Sequence, residues 1–161
     1  MPIDRRSLAA LLLAGTVAGI AGLSRAATAT NAAFNLTDAQ WRQKLNPAAY
    51  NVLRHAGTER PFTSPLLNEH RKGRFACAGC DLPLFDASTK YDSGTGWPSF
   101  WQPLPGGVAT HTDFEIGYPR TEVHCTRCQG HLGHVFDDGP RPTGKRYCMN
   151  GVALVFHERT A

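Results

Sequence analysis

The chain has 161 residues, 42% of them hydrophobic, enough for one modest domain with a single core and too few for a second. Its net charge of +4 arises from 17 basic and 13 acidic side chains scattered along the chain without a basic run, which argues against nucleic-acid binding. The 16 Gly and 11 Pro predict many turns, hence short strands and loops in place of long helices.

In chain order, residues 1–29 read as an export signal. Asp4-Arg5-Arg6-Ser7 precedes an apolar stretch from Leu8 to Leu23, and Ala26, Ala27, Thr28 and Ala29 supply a small-residue cleavage site. Adjacent arginines before an Ala/Gly-rich stretch predict the twin-arginine route, which carries folded proteins, and therefore a periplasmic location. An uncleaved membrane anchor is the alternative, because the apolar stretch approaches the length needed to span a bilayer.

A mainly β domain is expected over residues 37–158, behind a short helical preface. Thr37-Asp38-Ala39-Gln40 forms a capping-box pattern opening a helix with Trp41 and Leu45 on one face. Asn46 can cap a second helix with Pro47 in its first turn, and Gly57 can stop it. From Gly73 onward, Arg74 to Ala76, Val108 to Thr112, Thr121 to His124 and Gly151 to His157 read as strands. Asp92-Ser93-Gly94-Thr95-Gly96 and Asp137-Asp138-Gly139-Pro140 read as turns between them, giving an antiparallel arrangement.

The five cysteines divide into Cys77-Ala78-Gly79-Cys80, Cys125-Thr126-Arg127-Cys128 and a lone Cys148. Two Cys-X-X-Cys turns can aim four thiolates at one tetrahedral ion, and zinc suits a redox-silent sulfur site. Gly79 and Gly130 supply the small residues that such knuckles use. Disulfides are the competing reading for an exported chain, and a thioredoxin-like pair lacks its strand-then-helix setting. An odd number of cysteines leaves at least one thiol unpaired within the chain.

Arg146-Tyr147-Cys148-Met149-Asn150 reads as a strand, so Arg146, Cys148 and Asn150 project from one face. The guanidinium is expected to hold the Cys148 thiol below the ~8.5 of a free cysteine, and Asn150 can donate hydrogen bonds. An inert core cysteine is the alternative, which its polar companions disfavour. His131 and His134 follow the second knuckle and can bind a further metal or serve structure. The aromatic turn from Gly96 to Trp101, with Trp97 at its centre, can wall a pocket or fill the core.

These motifs together resemble one family, the methionine-R-sulfoxide reductases (MsrB). The resemblance runs from about Thr37 to His157 and rests on the two knuckles, Tyr91 to Phe100, His131 to Phe136, and Arg146 to Asn150, all in order. It implies two antiparallel sheets with a structural zinc on Cys77, Cys80, Cys125 and Cys128, far from the active cysteine. It also implies that Cys148 attacks the sulfoxide sulfur, that Trp97 packs on the substrate methyl with Phe136 in the same substrate site, and that His131, His134 and Asn150 hold the oxygen. Arg146 would support the thiolate, and the products would be methionine and a Cys148 sulfenic acid. Many members carry a resolving cysteine where this chain has Thr95, so the resemblance implies recycling by an external thiol, such as a thioredoxin-like dithiol protein. Met149 and Gly151 also depart from the branched aliphatic and Ser more usual beside the nucleophile. A non-catalytic, exported zinc-knuckle binding module is the rival reading; it accounts for four cysteines and not for Cys148.

Overall fold

A computed structural model describes residues 34–114 and 117–160, so the expected export signal over 1–29 lies outside the described residues. Two short helices open the described chain, α1 (Asp38–Lys44) and α2 (Pro47–His55). Thr37 and Gln40 close the expected capping box around α1, each side chain accepting the other's backbone N–H. Asn46 caps α2 by accepting from the Ala49 N–H at 2.8 Å, and Pro47 occupies the first turn, where no N–H is required. The stop differs from expectation by one residue: Ala56, at φ 51°, takes the left-handed position that was assigned to Gly57.

The remainder is mainly β. A three-stranded antiparallel sheet contains β1 (Gly73–Cys77), β2 (Pro83–Asp86) and β9 (Leu154–Glu158), in the order β2-β1-β9. A six-stranded sheet contains β3 (Lys90–Tyr91), β4 (Ser99–Phe100), β5 (Val108–Asp113), β6 (Arg120–Cys125), β7 (His131–Phe136) and β8 (Arg146–Met149). Its order is β3-β4-β8-β7-β6-β5, antiparallel at every junction, with β5 at one edge. The expected strand at Gly151 starts later, because residues Gly151–Ala153 form a 3-10 turn before β9.

Aromatic side chains join the sheets. Phe85 stacks on Phe100 at 4.3 Å between centroids, and Phe75 meets Phe100 edge-on at 4.9 Å. All three are fully buried, each pair adding about 0.5–1.5 kcal/mol beyond the area it buries. On β8, Tyr147 and Met149 turn toward this core, which leaves Arg146 and Cys148 on the opposite face.

Candidate active site and metal cluster

The two knuckles are built alike. Asp81 follows the first pair and Gln129 the second, each in the left-handed region at φ 59°. Each returns its N–H to the first cysteine of its pair, Asp81 to the Cys77 carbonyl at 2.8 Å and Gln129 to the Cys125 carbonyl at 3.0 Å. Neither knuckle glycine takes the left-handed position; Gly130 leaves room for Leu53, whereas a side chain at Gly79 would meet only ordinary contact. A Cβ on Gly130 would lie 2.8 Å from Leu53 Cδ2, and one on Gly79 would lie 3.4 Å from Cys128 Sγ.

This geometry brings Cys77, Cys80, Cys125 and Cys128 into one buried cluster able to hold a metal ion. Cys77 Sγ lies 3.6 Å from Cys128 Sγ, and Cys80 Sγ 3.5 Å from Cys125 Sγ. Those separations are too long for disulfides and near the roughly 3.8 Å edge of a tetrahedron of sulfurs each ~2.3 Å from zinc. Two arginines pin the rims from outside: Arg54 Nη1 donates to the Cys128 carbonyl at 2.9 Å and Arg127 Nη1 to the Cys80 carbonyl at 3.0 Å.

On the outer face of the larger sheet, strand register lines up one polar row. Ser99 pairs with Cys148, Cys148 with His134, His134 with Glu122, and Glu122 with His111. His131 joins this face through an irregularity. Between Val123 and His124 the partner on β7 jumps from Gly133 to His131, an extra residue that places two histidines three apart on one side. Their ring centroids are 5.4 Å apart.

Cys148 is half-buried and lines a cleft of ≈ 140 Å³ with Trp97, His134, Phe136 and Asn150 among its walls. Trp97 is thus a cleft residue, whereas its neighbour Phe100 is core, so the aromatic turn divides between the two readings. Gly133 forms the floor beneath Cys148: a Cβ there would stand 2.1 Å from the Cys148 carbonyl oxygen.

The thiol does not behave as the sequence led us to expect. Burial pushes the Cys148 thiol up, and the opposing pulls of the Thr95 hydroxyl and the Arg146 guanidinium do not overcome it. Arg146 is shared with other partners: Nε and Nη2 each donate to Asp138 at 2.8 Å, and its guanidinium lies 4.3 Å over the Phe136 ring. Thr95 Oγ1 lies 3.8 Å from Cys148 Sγ and heads a hydroxyl chain through Ser93 at 2.8 Å to Ser99 at 2.7 Å.

Both histidines have carboxylate partners. His134 Nε2 bonds Asp113 Oδ2 at 2.8 Å, yet burial holds its pKa below the ordinary imidazole value against the pull of that carboxylate. His131 Nδ1 bonds Glu122 Oε1 at 2.8 Å, while its buried Nε2 has no hydrogen-bond partner among the described residues. Asn150 is tied at both ends, its Oδ1 accepting from the Glu59 N–H at 2.9 Å and its Nδ2 donating to the Leu132 carbonyl at 3.1 Å. The Glu59 carbonyl in turn accepts from Trp97 Nε1 at 3.1 Å. Sequence reasoning missed Glu59, Asp113, Glu122 and the hydroxyl chain; Asp138 was visible only as a turn residue.

The SelR domain family matches residues 45–158. The chain is 54% identical to the peptide methionine sulfoxide reductase MsrB of Agrobacterium fabrum, over 79% of this chain and 95% of that protein. The chain belongs to the MsrB family. It is also 53% identical to the peptide methionine sulfoxide reductase MsrB of Thiobacillus denitrificans, over 76% of this chain and 94% of that one. To the chloroplastic peptide methionine sulfoxide reductase B1 of Arabidopsis thaliana it is 54% identical, over 74% of this chain and 60% of the relative. In this chain Thr95 is the residue that stands against Cys148.

Proposed function

We propose that this MsrB protein reduces methionine-R-sulfoxide in proteins and peptides to methionine, with Cys148 as nucleophile. The observation that carries the reading is one half-buried thiol opening on a cleft with an indole, an imidazole and a phenyl ring, within a chain of this family. Trp97 and Phe136 offer apolar walls for the sulfoxide's methyl and side chain. His131 and His134 serve the oxygen, directly or through water. The unpartnered Nε2 of His131 supports that role, since a buried imidazole nitrogen without a partner is costly until a ligand meets it. Asn150 supports the site by holding Glu59, and through it Trp97, in addition to any contact with the oxygen.

The reaction balances on these residues alone. The Cys148 thiolate attacks the sulfoxide sulfur, forming an S–S bond as one proton supplied through the histidines goes to the oxygen; that S–S bond and the S–O bond then break as the hydroxyl passes to the Cys148 sulfur, leaving a sulfenic acid and methionine with one proton consumed overall. Because burial favours the neutral thiol, Arg146 and the Thr95 hydroxyl matter by opposing that effect as substrate displaces water.

The four-cysteine cluster is read as a structural zinc site. Four thiolates fill a tetrahedral ion and leave no open position, so the ion supplies folding stability and takes no part in turnover. A non-catalytic zinc module would use this cluster equally well, but it gives no account of the cleft around Cys148. With Thr95 in place of a second cleft thiol, the sulfenic acid waits for an external dithiol protein, thioredoxin-like in chemistry. Export by the twin-arginine route is part of the proposal; Arg5→Lys with Arg6→Lys should retain the protein in the cytoplasm on cell fractionation.

The testing experiment is exhaustive reaction with racemic peptide methionine sulfoxide and a dithiol, followed by chiral chromatography. Half the substrate, the R epimer alone, is expected to disappear. Consumption of the S epimer at a similar rate, or full activity in Cys148→Ser, would contradict the reading.

A further inference from the structure

We propose that His111, Glu122 and His124 form a second metal site, open to solvent, for a divalent transition-metal ion such as Zn2+. His111 on the edge strand β5 is directly opposite Glu122 on β6. His124 lies two residues beyond Glu122 and therefore shares its face. One donor atom from each of the three lies within 4.8 Å of the others. His111 Nε2 is 2.7 Å from Glu122 Oε2, and the Nδ1 atoms of His111 and His124 face each other at 3.4 Å. Ligands held ~2.1 Å from a tetrahedral ion stand about 3.4 Å apart, so modest rotations about the side-chain bonds suffice to close around one.

Two imidazoles and one carboxylate make a donor set that favours the later first-row ions over calcium or magnesium, with room left for water or a further ligand. The His111 side chain is 54% exposed, which gives the ion an entry path. Glu122 is fixed from behind, because its second oxygen already accepts from His131 Nδ1 at 2.8 Å, an outer hydrogen bond of the sort that orients metal-binding carboxylates. The site is distinct from the cysteine cluster even though Cys125 follows His124. Adjacent strand residues point to opposite faces, and Cys125 is fully buried in the core.

The test is calorimetric titration of the purified protein, already holding its tightly bound metal, with Zn2+ in buffer free of thiols and chelators. The wild type should take up one further equivalent. His111→Ala and His124→Ala should each weaken that binding by about tenfold or more, with the tightly bound metal and the melting temperature unchanged, and Cys148→Ser should keep it. The proposal is overturned if the wild type takes up no second equivalent, if both histidine variants bind as the wild type does, or if the uptake vanishes in Cys148→Ser, which would assign the ion to the thiol. Should His124→Ala fold poorly, His111→Ala on the exposed edge decides alone.

Discussion

The hydroxyl oxygen of Thr95 stands 3.8 Å from the sulfur of Cys148, at the position where a resolving thiol would have to lie to reach it. Thr95→Cys should therefore create an internal disulfide. After one turnover without reductant, counting of free thiols should find two fewer in the variant than before reaction. Unchanged reactivity of both thiols would mean that the loop holds them apart.

Arg146 and burial act on Cys148 in opposite directions, and burial prevails. Only the thiolate reacts with iodoacetamide, so alkylation of Cys148 should climb at a pH above the range of an ordinary thiol. Arg146→Gln removes a downward pull and should move the profile higher still. Near pH 8 the variant should react severalfold more slowly, each pH unit of displacement being about tenfold in thiolate. A profile unmoved, or moved to lower pH, would show that the guanidinium does not act on the thiol.

Cys77→Ser and Cys125→Ser each remove one corner of the sulfur cluster. Both should lose bound zinc by elemental analysis and about 3 kcal/mol or more of stability, roughly 10 °C in melting temperature. Full zinc content in either variant would count against the cluster as the metal's seat.

Gly133 leaves no room for a side chain beneath Cys148. Gly133→Ala should force β7 and β8 apart, with a loss of about 1–3 kcal/mol in stability and a larger proportional loss of turnover. Normal activity at full stability would show that the pair yields without moving the thiol.

Local chemistry was legible in the sequence because its rules are local. The Thr37–Gln40 box, the Asn46 cap and the Cys-X-X-Cys pairs involve residues a few positions apart, and each is found as read. Strand β7 escaped notice because Gly133 within His131–Phe136 reads as a breaker, whereas it serves a close approach of two backbones. Strands β3 and β4 are two residues each, too short for any period to show. The carboxylates behind the histidines were invisible for a different reason. Asp113 and Glu122 meet His134 and His131 through cross-strand register and an extra residue on β7, which no spacing within the sequence encodes. The same limit hid the net effect on Cys148: the Arg146 charge can be read from the strand, and the depth of burial cannot.

The central claim is that Cys148 takes the oxygen from the substrate and then waits for an external thiol, while the four other cysteines stay with the metal. The most direct measurement is intact-protein mass spectrometry of the reduced, zinc-loaded enzyme after excess methionine-R-sulfoxide and no reductant. The account predicts a protein heavier by one oxygen, trapped at Cys148 by a sulfenic-acid reagent, with zinc retained. A protein lighter by two hydrogens with zinc released would contradict it, because a cluster cysteine would then be resolving the sulfenic acid.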